Sequence, residues 1–530
     1  MEDSNVMVLA VGVAMLLLVV SKLGSLLITK NKKSKLNLPP GPWTLPLIGS
    51  VHHLVGNPVI HRGLRDLSRK HGPLMMLRLG EEPTLVVSSA EAAEAVTKMH
   101  DIAFADRYVN TTLAVLTFNG TDFAFGAYGE RWRQLRKICV LELLSAARVR
   151  SFRCVREEEV ARFVGSLAAS ASANAGAAVD MTKMISRLMN DTFVRESIGS
   201  RYEHQDEYLD ALATAIRQTS VLTVADLFPS SRLMQMLGTA PRKALACRNR
   251  IARILNGIIR EKKEAMAMDD RGDKQAAAAA HDDGFLGVLL RLQKEDTLPI
   301  PLTNDTILAL MFDLFGAGSD TSSTTLNWCM TELVRHPAAM SRAQAEVREA
   351  FKGRKKKKSA LTEDDLAAAE LGLGYLKLVV KETLRLHSPV PLLLPRRCRE
   401  TVQVMGYDVP KGTAVFVNVW AVCRDPKYWD DDAEEFRPER FEGGKKSSGV
   451  DFKGTNYEFL PFGSGRRMCP GVNLGLANIE LVLASLLYHF DWKLPTGMEP
   501  EDVDTGEAPG LILKKKTGLV LHPIIRFAPS

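Results

Sequence analysis

The sequence predicts a mainly α fold with a minor β portion, preceded by an N-terminal transmembrane helix. Three observations carry that expectation. An unbroken apolar run spans Val6 to Val20 and resumes through Leu23 to Ile28, close to the ~20 residues that cross a bilayer as a helix. Most of the chain between residues 128 and 386 repeats apolar residues at helical spacing. Strand-like alternation is confined to short stretches near residues 74–88 and beyond Pro389.

The apolar run is followed by Lys30, Lys32, Lys33 and Lys35 and preceded by Glu2 and Asp3, which places its C-terminal side in the cytosol. The rival is a cleaved signal peptide, but its basic leader and small-residue cleavage site have no convincing match here. Residues 1–30 are therefore expected to be a membrane anchor and 31–45 a basic and Pro-rich hinge. Leu38-Pro39-Pro40-Gly41-Pro42 within that hinge cannot be helical. Residues 46–530 form the expected catalytic body.

Within it, His61 to His71 reads as a helix, Leu74 to Leu79 and Thr84 to Ser88 as a hairpin, and Ala90 to Met99 as a helix. Asp101 to Phe125 is long, apolar and aperiodic, which in a compact body marks a functional loop. Helices are expected over Tyr128–Leu144, Ala146–Ala168, Met181–Ile198, Asp206–Val224, Pro241–Ala265, Asn304–Leu333, Leu366–Leu386 and Asn473–Tyr488, and strands over Val402–Val404 and Thr413–Val419. The mixed-charge stretch Lys263–Gly284, with alanines at 276–280, reads as a flexible connection, as does the lysine-rich Lys352–Lys358.

Across 530 residues the chain is 46% hydrophobic and 25% charged, enough for a large core, with a net charge of +7. That charge is too diffuse for nucleic acid, though it suits an anionic membrane surface or an acidic partner. Seven scattered cysteines without a Cys-x-x-Cys pair argue against a disulfide framework and a zinc site.

One cysteine stands apart. Phe462-Gly463-Ser464-Gly465-Arg466-Arg467-Met468-Cys469-Pro470-Gly471 sets Cys469 beside two arginines and ahead of a helix, two electrostatic reasons for a thiolate. A buried cysteine in a Gly-rich turn is the plainer reading of such a loop. Here, however, Phe-x-x-Gly-x-Arg-x-Cys-x-Gly is matched in full. The chain thereby resembles the cytochrome P450 superfamily, whose haem-thiolate signature this is. Ala317-Gly318-Ser319-Asp320-Thr321, alone compatible with a helix distortion, resembles the family's oxygen-activation motif. Trp132 and Arg136 match its Trp-x-x-x-Arg, Glu382-Thr383-Leu384-Arg385 its Glu-x-x-Arg, and Phe436-Arg437-Pro438-Glu439-Arg440-Phe441 the segment that follows. The wording around Cys469 and Lys381-Glu382-Thr383-Leu384-Arg385-Leu386-His387 is similar to the plant A-type branch. Asn119–Leu144 and Asn190–Ser200 resemble a grass subgroup that oxidises terpenoids.

The resemblance implies a cytochrome P450 fold and haem b, with Cys469 as axial ligand. Trp132, Arg136, Arg396 and Arg467 would hold the propionates, with Arg397 able to exchange with Arg396. Glu382, Arg385 and Arg440 would buttress the cysteine loop, Thr321 would hold a water, and Asp320 would relay protons. It further implies an endoplasmic-reticulum monooxygenase of the plant defence metabolism that takes O2 and electrons from NADPH–cytochrome P450 reductase docked near the cysteine loop. The expected substrate is a small hydrophobic molecule, a sesquiterpene or diterpene, with alkaloids, phenolics and fatty acids as alternatives. A haem-thiolate isomerase or dehydratase needing no reductase is the rival activity, although such relatives usually lose the acid–threonine pair. Substrate contacts are expected from Asp101–Phe125, Ser220–Leu237, Leu310–Thr321, Ser388–Pro395 and Ala508–Ile512, with Phe118, Phe123, Leu314, Val390, Leu393 and Leu511 facing the substrate.

A cytosolic body leaves the Asn-x-Thr triplets at Asn110, Asn119, Asn190 and Asn304 without glycan. Digestion with an N-glycosidase is expected to leave the mobility of the expressed protein unchanged, and a shift would reverse the orientation.

Overall fold

The computed structural model describes residues 36–57, 59–173, 178–201, 205–219, 223–237, 239–269, 284–353, 360–369 and 372–528. The expected anchor over 1–30, the alanine run and lysines 355–358 lie outside them. From Leu36 onward the Pro-rich stretch is extended, as expected, and is fastened to the body. The Met76 amide donates to the Pro40 carbonyl (2.8 Å) and the Asn37 amide to Asp408 Oδ2 (2.8 Å).

Helix α1 (Ile60–His71) leads into strands β1 (Leu74–Leu79) and β2 (Glu82–Val87), which pair antiparallel as a hairpin. Together with β3 (Asp106–Arg107), β5 (Arg396–Arg397) and β8 (Ala414–Val417) they form one sheet ordered β1-β2-β8-β5-β3. Only β2 and β8 run parallel. β4 (Val179–Asp180), β10 (Val520–Ile525) and β9 (Phe490–Lys493) make a second sheet, and β6 (Val402–Val404) with β7 (Tyr407–Val409) a third.

The principal helices are α2 (Glu130–Ile138), α3 (Arg153–Ala173), α4 (Met181–Ile198), α5 (Gln205–Thr219), α6 (Ala240–Asp269), α7 (Phe285–Glu295), α8 (Asn304–Arg335), α9 (Pro337–Ala350), α10 (Gly374–Leu386) and α11 (Val472–His489). Their ends follow local chemistry. Thr303 caps α8 by accepting from the Thr306 amide, and Pro337 opens α9 directly after it. Asp180 caps α4, which ends at Gly199 with φ 100°.

Three expected helices divide. Ala146–Ala168 breaks at Phe152, because Ser145 caps a separate turn over Ala146–Ser151. Asp206–Val224 stops at Thr219, and a reciprocal Thr223–Asp226 capping box starts a new short helix. Leu366–Leu386 separates into Glu363–Ala368, capped by Thr362 and Asp365, and α10. Helix α7 was not expected. Its first six residues are all buried, a short continuous apolar run that periodicity alone does not identify as a helix.

Helix α8 is the axis of the molecule. Ile307 to Phe315 lie in a core shared with α2, α4, α5, α6 and α7, whereas Leu326 to Val334 lie in a second core with α3, α4, α9, α10 and α11. At the junction stand Gly316, Ala317 and Gly318, and Ala317 is exposed in the middle of a helix that is otherwise almost wholly buried. The motif there does not interrupt α8, which runs unbroken through it. Gly318 is required because a Cβ would enter the ring of Phe193 on α4.

The second core encloses the expected charged triad. Arg385 grips Glu382 with two parallel bonds of 2.8 Å, and Arg440 Nε donates to Glu382 Oε1 at 2.9 Å. Glu382 and Arg385 have no exposed side-chain surface. The remaining Arg385 donors reach the carbonyls of Cys423, Ala433 and Glu435. All donors therefore have partners, the condition under which buried charge is tolerated. Glu382→Ala leaves the buried Arg385 without its anion and Arg440 with Asp432 alone, and is expected to cost about 3–5 kcal/mol, read from the midpoint of chemical denaturation.

Candidate active site at the cysteine loop

Between Phe462 and Gly471 the backbone makes two left-handed turns, at Gly463 (φ 70°) and Gly465 (φ 69°). At Gly465 a Cβ would overlap the Thr97 carbonyl oxygen, so the loop packs against the π-helical turn Ala95–Met99 at bare-backbone distance. The Cys469 amide donates to the Phe462 carbonyl (2.9 Å), closing the loop, and α11 begins three residues after the sulfur.

Cys469 is exposed, yet burial raises its thiol above the ordinary value, and the Gly471 amide and the Arg136 charge only partly oppose this. Cys469 thus keeps accessible surface while its surroundings disfavour the thiolate. The expected help from the two adjacent arginines is corrected here. Arg466 turns to Asp101 (2.9 Å), and Arg467 turns to the carbonyls of Ala105 (2.7 Å) and Gly126 (2.6 Å). Both side chains thus spend their charge on partners other than the Cys469 sulfur.

Arg467 also lies over the Trp132 ring, 4.3 Å from its centroid. The Trp132 indole donates to the Phe123 carbonyl (3.1 Å), and Arg136, on the same face of α2, donates to the Met468 carbonyl next to the cysteine (2.6 Å). Alternation along β5 separates the two candidates there. Arg396 is buried and reaches the Ser464 carbonyl of the cysteine loop (3.0 Å), while Arg397 points to Glu82 (3.5 Å) and Tyr108. A fourth guanidinium was missed in the sequence. Arg107 on β3 donates to the carbonyls of Ala124 (3.0 Å) and Leu394 (2.6 Å).

Arg107, Arg136, Arg396 and Arg467 all have their pKa values lowered, burial being the first cause in each. Arg467 comes down to about 10, and the cations Arg107, Arg396 and Arg467 add mutual repulsion. Arginine does not respond by releasing its proton. The cluster therefore carries positive charge answered chiefly by carbonyl oxygens and Asp101, and it favours an anion. A dianionic planar group with its acid edge on these side chains and its centre at Cys469 suits the cluster, and haem is such a group.

On α8, Thr321 Oγ1 donates to the Ala317 carbonyl (2.6 Å), and Asp320 is held by Lys514 (2.9 Å), a partner the sequence did not suggest. Of the five expected substrate segments, one is α8 itself and Asp101–Phe125 is bonded to it, while Leu513, just past Ala508–Ile512, links Pro389 to α8. The amides of Phe123 and Ala124 donate to Asp313, and the Leu513 amide donates to Pro389 while its carbonyl accepts from Trp328 of α8. The segment around Ser220–Leu237 reaches the first hairpin, where the Leu227 carbonyl accepts from the Glu81 amide and Leu227 packs on the same small core as Leu392. Phe118 and Leu314 are buried in the core formed with α2, α4, α5, α6 and α7, whereas Phe123, Val390, Leu393 and Leu511 keep accessible surface. Leu393 has φ 51°, a strained position of the kind that gathers at sites.

A family model described as Cytochrome P450 matches residues 39–522. Two maize (Zea mays) proteins, zealexin A1 synthase and dolabradiene monooxygenase, are each 66% identical over 529 residues, covering 100% of this chain and 99% of theirs. A zebra fish cytochrome P450 structure with progesterone shares the fold at a TM-score of 0.69 and 24% identity, covering 88% of this chain and 99% of its own.

Two measurements check the assignment of the residues. Cys469→Ser is expected to abolish the thiolate band of the reduced, CO-bound spectrum; an unchanged band overturns the ligand. Arg467→Ala removes charge-assisted bonds of about 1.5–3 kcal/mol, so haem transfer to an acceptor apoprotein should quicken roughly tenfold or more.

Proposed function

This chain belongs to the cytochrome P450 family, and from that premise we propose that it is a membrane-anchored monooxygenase of terpenoid metabolism. It inserts one oxygen atom from O2 into a sesquiterpene or diterpene olefin, with electrons from NADPH through a cytochrome P450 reductase. What carries this is the cysteine, accessible yet desolvated, beside a guanidinium cluster whose Arg136 bonds the adjoining Met468 carbonyl, in a chain whose α8 exposes Ala317 at its middle. The maize relatives, named for zealexin A1 and dolabradiene, support a terpenoid of that size class.

Bound haem b supplies the redox chemistry, the activation of O2 and the transfer of one oxygen atom. The protein does the rest. Cys469 provides the anionic sulfur. Trp132, Arg136, Arg396 and Arg467, joined by Arg107, neutralise the acid edge. The Thr321 hydroxyl, resting on the Ala317 carbonyl, turns to hold a water. Asp320 passes protons inward, and its ion pair with half-exposed Lys514 connects it to solvent. Phe123, Val390, Leu393 and Leu511 present an apolar wall to an olefin.

Membrane association has support in the body itself. Trp43, Val55 and Ile60 are exposed close to the N-terminal end of the described chain, and so are Val224 and Met236. Those two segments meet where Phe228 and Met234 pack on Ile48. Such apolar surface, beside a chain end leading to the proposed anchor over 1–30, suits the endoplasmic-reticulum membrane with the body in the cytosol.

Co-expression with a plant reductase and a panel of terpene olefins, read by mass spectrometry, tests the proposal. NADPH-dependent products heavier by one oxygen atom are expected. Isomerised products formed without reductase would establish the rival activity instead. In Thr321→Ala the haem should remain, product should fall roughly tenfold or more, and peroxide should rise; full coupling in the variant removes Thr321 from proton handling.

A further inference from the structure

Two acidic side chains near the site have no part in the chemistry above. Asp313 of α8 accepts from the amides of Phe123 (2.8 Å) and Ala124 (2.9 Å), and Asp122 accepts from the amide of Phe125 (3.0 Å). The carbonyls of the same short segment point the other way. Phe123 accepts from Trp132 (3.1 Å) and Arg467 (3.4 Å), Ala124 from Arg107 (3.0 Å), and Gly126 from Arg467 (2.6 Å). Residues 122–126 are thus a bridge with its donors on α8 and its acceptors on the guanidinium cluster.

We propose that Asp122 and Asp313 form one positioning unit, a carboxyl–carboxylate pair sharing a proton, which fixes this bridge and through it the grip of the arginines on the anionic edge of the cofactor. The proposal rests on the reading of that cluster as the propionate cradle. Asp122 is 1% exposed, and its Oδ1 is buried with no donor. The Asp313 carboxyl lies against it. An acceptor oxygen facing a second carboxylate in a dry site is where a proton settles.

Both acids are raised, burial being the first cause. Asp122 rises well above the usual carboxylate range with Asp313 as second cause, and Asp313 reaches about 6. The other titratable groups facing them are Arg467 from the cysteine loop, Arg107 from β3, and Cys139, just past α2. Near neutrality the pair therefore carries one negative charge, set against the cationic cluster. Because the folded values exceed the unfolded ones, the pair's stabilisation is complete at acid pH. It declines as pH rises through about 6 for Asp313 and then through the higher range of Asp122.

The test is haem release from the holoprotein to an acceptor apoprotein, followed from about pH 6 to pH 9, with infrared difference spectra alongside. Wild type should release haem several-fold faster at the alkaline end. Asp122→Asn, whose amide donates to Asp313 at every pH, should flatten that dependence. Asp313→Ala should release haem roughly tenfold faster throughout. The infrared band of a buried protonated carboxyl near neutral pH should be present in wild type and lost in both Asp122→Asn and Asp313→Asn. A pH profile unchanged in Asp122→Asn, or no such band in wild type, overturns the proposal even if Asp313→Ala does not fold. Arg467→Ala separates the two readings. If it retains haem normally, the cradle itself fails; if it loses haem while the aspartate variants behave as wild type, the cradle stands and the pair falls.

Discussion

Four guanidinium groups gathered around the cysteine loop and residues 122–126 are the constraint from which the rest of the site follows. Each is desolvated, and three of them repel one another. Backbone carbonyls absorb part of that charge, which is why the strand, the helix and both loops around them are held at hydrogen-bonding distance. The peptide groups of residues 105, 123, 124, 126, 394, 464 and 468 all serve as acceptors. Carbonyl dipoles do not neutralise whole charges, and Asp101 and Asp122 answer only part of them, so the arrangement favours a further anion. The site is built to be stabilised by what it binds.

The buried Glu382–Arg385–Arg440 network shows the same chemistry resolved in the opposite sense. There the carboxylate is present, the geometry is bidentate, and spare donors end on carbonyls. One arginine cluster is closed and belongs to the scaffold; the other is open and belongs to the site. The cysteine loop lies in between. Its shape comes from two left-handed glycines, and the arginines beside it in sequence are engaged with Asp101 and with backbone carbonyls.

Much of the site was legible in the sequence because its residues sit in fixed-spacing motifs. Helical spacing aligns Trp132 with Arg136, and the turn-forming glycines mark the Cys469 loop. What was not legible depends on folding. Arg107 lies in an aperiodic loop, and only the pairing of β3 with β5 brings it to Arg396. Arg396 and Arg397 are equivalent in sequence and separate only by strand alternation. Lys514 and Asp313 join their partners across 194 and 190 residues, respectively. In the fold, helices with one apolar face were foreseen, while α7, buried at its start, and the capping boxes that divide longer periodic stretches were not. The membrane anchor and the site roles stay as proposals.

The ion pair of Asp320 with Lys514 and the pairing of β10 with β4 and β9 bear on biosynthesis. Both tie the middle of the chain to residues made very late. A growing chain on the ribosome can form helices in its first half, but α3 and α4 meet their core partners on α8 to α11 only once those have been made. It cannot assemble the centre until synthesis has passed Ile525 and that stretch has emerged. Premature termination anywhere before Lys514 would therefore yield a largely helical protein with an unfinished interior, and cofactor insertion belongs after translation rather than during it.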